Sequence, residues 1–301
     1  MSTVKTKIDQ EIVFSYIKNN FDNSIFDLEF INGGEMSQAF SFQTSKGNFV
    51  IRVNTSSRSF YKDQKAFELF GNKGIPIPKI IKIGRIDDVY HFAISEKAEG
   101  KHITDLSEEE YNKTLPSLLG IMDKIHSLDI EESKGFGKWN LEGNGIYDTW
   151  REFILAVNEF QNKEDLFRTS FLEVDIWEKI YSEIKQLSEF CPEERFLVHG
   201  DYGNNNAVSD GEKVTGVFDW ADSLCGDYLY DIAWITFWLK KPDRIKEIED
   251  YYITKNIPNF SQRLLCYKLR IGLGSLSFYA YSNQKDKYDS IKQRTLNLLL
   301  D

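Results

Sequence analysis

Residues 198–206 read VHGDYGNNN, and the spacing within this stretch decides how the rest of the chain is interpreted. Asp201 follows His199 by two residues, and Asn206 follows Asp201 by five. This arrangement, H-x-D-x-x-x-x-N, is the pattern of the catalytic loop in phosphoryl-transfer enzymes. A carboxylate can orient a substrate hydroxyl and take its proton, and an amide oxygen can bind a hard cation. The stretch therefore predicts Asp201 as a catalytic base and Asn206 as a magnesium ligand.

A second aspartate ends the β-type run VTGVFDW at residues 214–220. Asp219 stands thirteen positions past Asn206 and is predicted to be the second magnesium ligand, because an acid at a strand end can hold a metal against nucleotide phosphates. Taken singly, Asp201 could form a turn and Asp219 could cap a helix. Their joint spacing favours the functional interpretation. We expect His199 only to brace the loop by hydrogen bonding to backbone.

Upstream residues offer candidates for phosphate binding. Gly33, Gly34 and Ser37 lie between two β-type runs, where glycines let backbone N–H groups approach a triphosphate, although a glycine pair is also typical of an ordinary hairpin. Arg52, in the run FVIRV at residues 49–53, is the basic strand residue expected to touch the phosphates. Its acidic partner on the next helix is Asp63 or Glu68; we favour Asp63, and a solvated surface pair is the alternative.

The order of periodic segments predicts an α+β fold. After a helix at residues 10–20, short β-type runs at 40–42, 49–53, 79–84 and 89–96 surround one helix at 60–72. From residue 106 the pattern is mainly helical, with helices expected at 107–126, 149–161, 174–190, 228–240 and 242–300. We predict a small antiparallel β-rich N-terminal lobe (residues 1–94), a hinge (95–100) and a larger, mainly helical C-terminal lobe (101–301).

Composition narrows the class of partner. The net charge of −10, from 47 acidic against 37 basic side chains, disfavours nucleic acid and favours a cationic small substrate, although many proteins are this acidic. Three cysteines without metal spacing predict neither a disulfide framework nor a zinc site. No apolar signal core or membrane-length run is found in the sequence. We expect a cytoplasmic protein, a monomer that binds no membrane.

Several of these segments together resemble the aminoglycoside phosphotransferase family, and within it the branch that acts on hygromycin B. The likeness runs from about residue 30 to residue 238 and includes GEMSQAFSF (34–42), VIRVN (50–54), FYKD (60–63), IPIP (75–78), GFG (135–137), TWREFI (149–154), the catalytic loop and Asp219-Trp220. It implies a two-lobed protein-kinase-like fold, ATP or GTP with Mg²⁺, and transfer of the γ-phosphoryl group to a hydroxyl of an aminoglycoside or aminocyclitol. Such a reaction inactivates an antibiotic.

The resemblance also assigns residues. Asp201, Asn206 and Asp219 fall on the family's base and metal ligands, and Ser95, Glu96, Lys97 and Ala98 on the hinge that holds the purine. Arginine stands at position 52 and aspartate at position 63, where the broad family has lysine and glutamate. The hygromycin branch resembles this chain at both positions.

Asp231 matches a family aspartate expected to be structural. Residues expected to face the acceptor are Asn204, Tyr202, Tyr230 and Trp234, with core packing as the alternative for the aromatic ones. A kinase of another metabolite (choline, homoserine, a macrolide or a sugar) and a silent nucleotide-binding module stay open as alternatives.

Overall fold

The computed structural model describes residues 5–34, 36–159, 163–203 and 205–300. These residues form two compact units. We call residues 5–121 and 203–221 the sheet unit, and residues 122–202 and 222–300 the helical unit. Each unit contains one part of the predicted catalytic loop, because the boundary between them falls after Tyr202.

The sheet unit is built on a five-stranded antiparallel sheet in the order β1-β2-β3-β5-β4. Its strands are β1 (Phe26–Ile31), β2 (Gln38–Thr44), β3 (Gly47–Asn54), β4 (Ile80–Arg85) and β5 (His91–Glu96). In β3 the buried residues Phe49, Ile51 and Val53 alternate with less buried ones, and Arg52 is among the latter. Since successive strand side chains point to opposite faces, Arg52 points away from the face that carries Ile51.

Helices cover both faces of this sheet. The unit contains α1 (Gln10–Asn20), α2 (Arg58–Phe70) and most of α3 (Glu108–His126). Val13 and Ile17 of α1 are fully buried in one cluster with Phe42 and Ile51 of the sheet. The opposite face carries Arg52, which pairs with Asp63 of α2. A second, small antiparallel sheet follows the order β10-β9-β6 and is formed by β6 (Lys101–His102), β9 (Ala207–Ser209) and β10 (Val214–Val217).

The helical unit contains one short antiparallel sheet in the order β7-β11-β8, formed by β7 (Gly137–Lys138), β8 (Phe196–Val198) and β11 (Leu224–Gly226). Its helices are α4 (Trp150–Leu155), α5 (Lys163–Thr169), α6 (Val174–Leu187), α7 (Leu229–Trp238), α8 (Pro242–Ile253), α9 (Phe260–Tyr281) and α10 (Lys285–Asn297). The long helix α9 packs against α6, α7 and α10 and forms the centre of this unit.

The predicted α+β class is confirmed, and most predicted elements are present. The helix expected at 149–161 is shorter: a capping box of Thr149 and Glu152 begins α4, which ends at Leu155 and continues as a 3₁₀ turn, and residues 160–162 lie outside the described part. The division into an N-terminal lobe at 1–94, a hinge at 95–100 and a C-terminal lobe at 101–301 stays a prediction. The two compact units do not identify a hinge segment. Among the described residues, no helix is both long and apolar enough to cross a membrane.

Candidate active site

The first half of the predicted catalytic loop leaves β8 through a glycine that no other residue could replace without rearrangement. Gly200 has φ +81°, and a Cβ atom added to it would lie 2.3 Å from the carbonyl oxygen of Asp222. Only glycine adopts this backbone at little cost and leaves room for that carbonyl. The close approach places Asp201 at the start of the loop, beyond the end of the strand.

Asp231 of α7 holds the backbone on the N-terminal side of Asp201. Its Oδ2 accepts the backbone N–H of His199 at 2.9 Å and its Oδ1 accepts the backbone N–H of Gly200 at 2.8 Å. The ring Nε2 of His126 lies 3.0 Å from Oδ2. The carboxylate is 0% exposed, so these partners replace its hydration. Such a buried anchor fits the structural role predicted for Asp231.

The Asp201 side chain is half-buried and has a neighbour that the sequence did not connect with it. Trp234 of α7 donates its indole N–H to Oδ1 of Asp201 at 2.6 Å. The backbone N–H of Asp201 donates to Nδ1 of His199 at 3.3 Å, so the His199 ring contacts the loop backbone. The bracing contact expected of His199 is thus present.

In the sheet unit, Asp219 adopts a backbone conformation that non-glycine residues seldom take. Its φ is +65°, which costs of order 1 kcal/mol and persists only where neighbours fix it. Phe218 donates its backbone N–H to the carbonyl of Asn206 at 3.0 Å, and Trp220 donates its backbone N–H to Oδ1 of Asp63 at 2.7 Å. Asp219 is therefore held from both sides, and the bond from Phe218 to Asn206 brings the two predicted metal-ligand segments together.

A further bond fixes the residue that follows this turn. Lys62, the neighbour of Asp63 on α2, is 7% exposed and donates from Nζ to the carbonyl of Ala221 at 2.7 Å. The sequence prediction missed Lys62, because a lysine beside an aspartate in an early helical turn is typical of a solvated pair. The one available signal is its position next to Asp63.

The Arg52 and Asp63 side chains form the predicted ion pair through Nη2 and Oδ2. The Arg52 guanidinium also lies 5.3 Å from the ring centroid of Phe60. Burial opposes its charge, but the carboxylates of Asp63 and Asp219 outweigh burial and raise the pKa of Arg52. Glu68, the alternative partner, is exposed on α2. Arg52 is therefore a permanent cation beside the carboxylates of Asp63 and Asp219.

The predicted glycine loop joins β1 to β2 in the same unit. Gly33 and Gly34 have φ of +119° and +64°, which glycine adopts readily. Ser37 accepts a hydrogen bond from Nδ2 of Asn54, the last residue of β3, at 2.9 Å. Residue 35 lies outside the described part. The loop is thus tied to the strand that carries Arg52.

The predicted purine-binding segment continues from the central strands of the sheet. Ser95 pairs with Val50 of β3, and Lys97 donates its backbone N–H to the carbonyl of Asn48 at 3.0 Å. Glu96 and Lys97 are exposed, whereas Ala98 is half-buried against Gly216. These contacts fix the backbone geometry of residues 95–98.

The residues expected to face the acceptor differ in their surroundings. Tyr202 is 0% exposed, and burial together with Asp231 holds the pKa of its phenol well above the usual range. Tyr230 is also buried, with its hydroxyl accepting from Nη1 of Arg270 at 3.0 Å. Both follow the alternative of core packing, since a buried ring has little surface for a ligand. Trp234 is half-buried, and Asn204 lies outside the described residues.

Comparisons with known proteins identify the family of this chain. The model of the phosphotransferase enzyme family (APH) matches residues 27–260. Hygromycin-B 4-O-kinase of Escherichia coli is 34% identical over 280 residues, which cover 90% of this chain and 80% of that protein. The crystal structure of aminoglycoside phosphotransferase APH(4)-Ia matches with a TM-score of 0.87 and 30% identity, covering 97% of this chain and 98% of that one.

A thermostable mutant of APH(4)-Ia, in ternary complex with AMP-PNP and hygromycin B, matches with a TM-score of 0.86 and 30% identity over 95% of this chain and 97% of that one. The predicted fold class, an α+β protein-kinase-like fold, is confirmed by these matches. The chain therefore belongs to the phosphotransferase enzyme family, as the resemblance of its motifs to aminoglycoside phosphotransferases predicts.

Proposed function

We propose that this chain transfers the γ-phosphoryl group of ATP to a hydroxyl of hygromycin B or a closely related aminocyclitol antibiotic, and so inactivates it. One observation carries the proposal: Asp219 is held in left-handed backbone beside Asn206 and near the Arg52 cation. Asp27, Asn256, Asn259 and Asn283 share this backbone conformation, so what points to a metal-binding acid is the bonded Asn206 segment and the Arg52 cation beside Asp219. The relatives named above support hygromycin B as the acceptor.

Asp201 is the proposed base. In the reaction, the acceptor oxygen forms a bond to the γ-phosphorus, the bond from that phosphorus to the β,γ-bridging oxygen breaks, and the hydroxyl proton passes to the Asp201 carboxylate. The indole of Trp234 on Oδ1 stabilises the ionised carboxylate, which is the form that accepts a proton. Most of the rate then comes from positioning and charge stabilisation.

The sheet unit supplies the proposed nucleotide and metal ligands. The carboxylate of Asp219 and the amide oxygen of Asn206 are oxygen donors of the type Mg²⁺ prefers, and the bond between Phe218 and Asn206 keeps their segments adjacent. When bound, Mg²⁺ would neutralise charge on the phosphates. Arg52, fixed by Asp63, would contact the phosphates together with backbone N–H groups near Gly33, Gly34 and Ser37. The backbone of residues 95–98 would hold the purine.

The acidic charge of the chain suits the proposed acceptor, because hygromycin B carries amino groups. With 47 acidic against 37 basic side chains, the surface attracts a polyamine and repels nucleic acid. We also propose that the chain works as a monomer.

The test measures ADP release by the purified chain with ATP, Mg²⁺ and hygromycin B, beside a panel containing kanamycin, choline, homoserine, a macrolide and simple sugars. Asp201→Ala should lose roughly three orders of magnitude in kcat or more while still binding ATP. Asp201→Ala with near wild-type turnover would remove Asp201 from the mechanism. Turnover with another member of the panel, and none with hygromycin B, would replace the acceptor, and no turnover at all would favour a silent nucleotide-binding module.

A further inference from the structure

We propose that Trp234 is a positioning residue for Asp201, fixing its carboxylate so that one helix, α7, holds both the backbone that precedes the proposed base and the side chain of that base. This inference rests on the proposed function. Its starting observation is the 2.6 Å hydrogen bond from the indole Nε1 to Oδ1 of Asp201. The two residues are 33 positions apart, so the fold, and not the local chain, creates the contact.

In this hydrogen bond Trp234 is the donor and Asp201 is the acceptor. An indole N–H can only donate, and a donor bound to an ionised carboxylate makes a shorter and stronger bond than one between neutral groups. A carboxylate otherwise rotates with little resistance about its Cβ–Cγ bond, since that torsion is broad. With Oδ1 bound to a rigid ring, the plane of the carboxylate is defined before any acceptor arrives.

Helix α7 is suited to this role because it is part of the core. Leu229, Ile232, Ala233 and Ile235 are at most 1% exposed. Asp231 and Trp234 are three residues apart, so they share one face of the helix. The first binds the backbone N–H groups of His199 and Gly200, and the second binds the side chain of Asp201. The loop is therefore held at two points by a single rigid element, which is how a catalytic group is kept in productive geometry.

The same helix provides a matched control. Trp238 lies one turn after Trp234, with ring centroids 6.1 Å apart, and its buried Nε1 has no hydrogen-bond partner among the described residues. Trp234→Phe and Trp238→Phe make the same chemical change. Only the first removes a donor from Asp201.

We expect Trp234→Phe to lower kcat for ATP and hygromycin B by roughly ten- to a hundredfold, the effect of losing one hydrogen bond to a charged group. The KM values for ATP and hygromycin B should change by less than about twofold, because Asp201 acts on the transition state more than on binding. Trp238→Phe should stay near the wild-type kcat. A higher KM for hygromycin B at unchanged kcat would overturn the inference and make Trp234 an acceptor contact, and wild-type kcat in a folded Trp234→Phe protein would overturn it as well.

A second measurement does not depend on turnover. In the ¹⁵N-labelled full chain, Trp234→Phe identifies the indole N–H resonance of Trp234, which a carboxylate partner should shift downfield. Asp201→Ala should move this resonance upfield and leave that of Trp238 in place. An unchanged chemical shift of the Trp234 indole N–H in Asp201→Ala would show that the hydrogen bond between Trp234 and Asp201 is not formed. Should the wild-type chain turn over none of the acceptors, the proposed function fails, while the resonance still decides whether Trp234 holds Asp201.

Discussion

The two units of the chain anchor their functional acids in parallel ways, each with an aspartate on a helix. In the sheet unit, Asp63 of α2 accepts the backbone N–H of Trp220, next to Asp219. In the helical unit, Asp231 of α7 accepts the backbone N–H groups of His199 and Gly200, next to Asp201. In both, a second side chain from the same helix makes a further bond: Lys62 to Ala221, and Trp234 to Asp201.

The anchors differ in what else they hold. Asp231 is fully buried, and its further neighbour is the ring of His126. Asp63 shares its other oxygen with Arg52, whose side chain is 21% exposed and which also interacts with Asp219. We interpret Asp231 as a fixed part of the core. Asp63 instead links the position of Asp219 to the charge that would meet the phosphates, so its loss should affect activity more than stability.

The largest effect on stability is expected from Asp231→Asn. An amide can accept only through its oxygen, so its NH₂ group would face one of the two backbone N–H donors in a buried site. An unsatisfied buried donor and a lost charged partner should together reduce the free energy of unfolding by about 3 kcal/mol. Urea denaturation measures this.

The matched change for this prediction is Asp286→Asn, in the exposed first turn of α10. It should cost less than about 1 kcal/mol. Equal losses for the two variants would mean that Asp231 is no more than a helix-terminal charge.

Asp63→Asn should separate activity from stability in the sheet unit. The amide oxygen can still accept the N–H of Trp220, but the charge that holds Arg52 is lost. Asp63 is buried but Arg52 keeps some access to solvent, so the free energy of unfolding should fall by about 2 kcal/mol, less than for Asp231→Asn. We expect kcat to fall by roughly tenfold or more, since Arg52 would lose its fixed position beside Asp219.

Glu68→Gln is the control, because Glu68 is exposed on the same helix and was the alternative partner of Arg52. It should leave both quantities unchanged. A drop in stability without a drop in kcat for Asp63→Asn would contradict the link between this anchor and the reaction.

The comparison also shows how far the sequence carries. The spacing from His199 to Asn206 and the β-type run before Asp219 predicted the two acid-bearing segments, because both are local patterns. Arg52 and Asp63 could be matched by side-chain reach, since β3 and α2 are consecutive elements. Their pairing is present in the structure.

What the sequence left out depends on long-range packing. The contact of Trp234 with Asp201 spans 33 residues and that of Lys62 with Ala221 spans 159, and no periodicity encodes either one. Tyr202 was named as facing the acceptor with core packing as the alternative, and its ring is buried. A tyrosine has an apolar body, and only the tertiary fold decides whether that body or the hydroxyl determines its place.

The smallest effect is expected from Lys62→Met, which tests whether the second contact of α2 matters. Methionine matches the length of the lysine stem and suits a site that is 7% exposed, so the lost hydrogen bond to Ala221 is offset by removing a buried charge. Stability should change by less than about 1 kcal/mol. If Lys62 fixes the turn after Asp219, kcat should still fall by roughly two- to fivefold.

Lys65→Met makes the same change three residues further along α2, at a less buried position than Lys62, and should leave kcat unaltered. Steady-state kinetics on both variants with ATP and hygromycin B decide the point. Identical kcat values for Lys62→Met and Lys65→Met would leave Asp63 as the sole anchor on α2, and the parallel with α7 would then reduce to one aspartate in each unit. A lower kcat for Lys62→Met alone would show that α2, like α7, positions its functional acid with two side chains. The hydrogen bond from Lys62 to Ala221, which Lys65 does not make, would then account for the difference between the two variants.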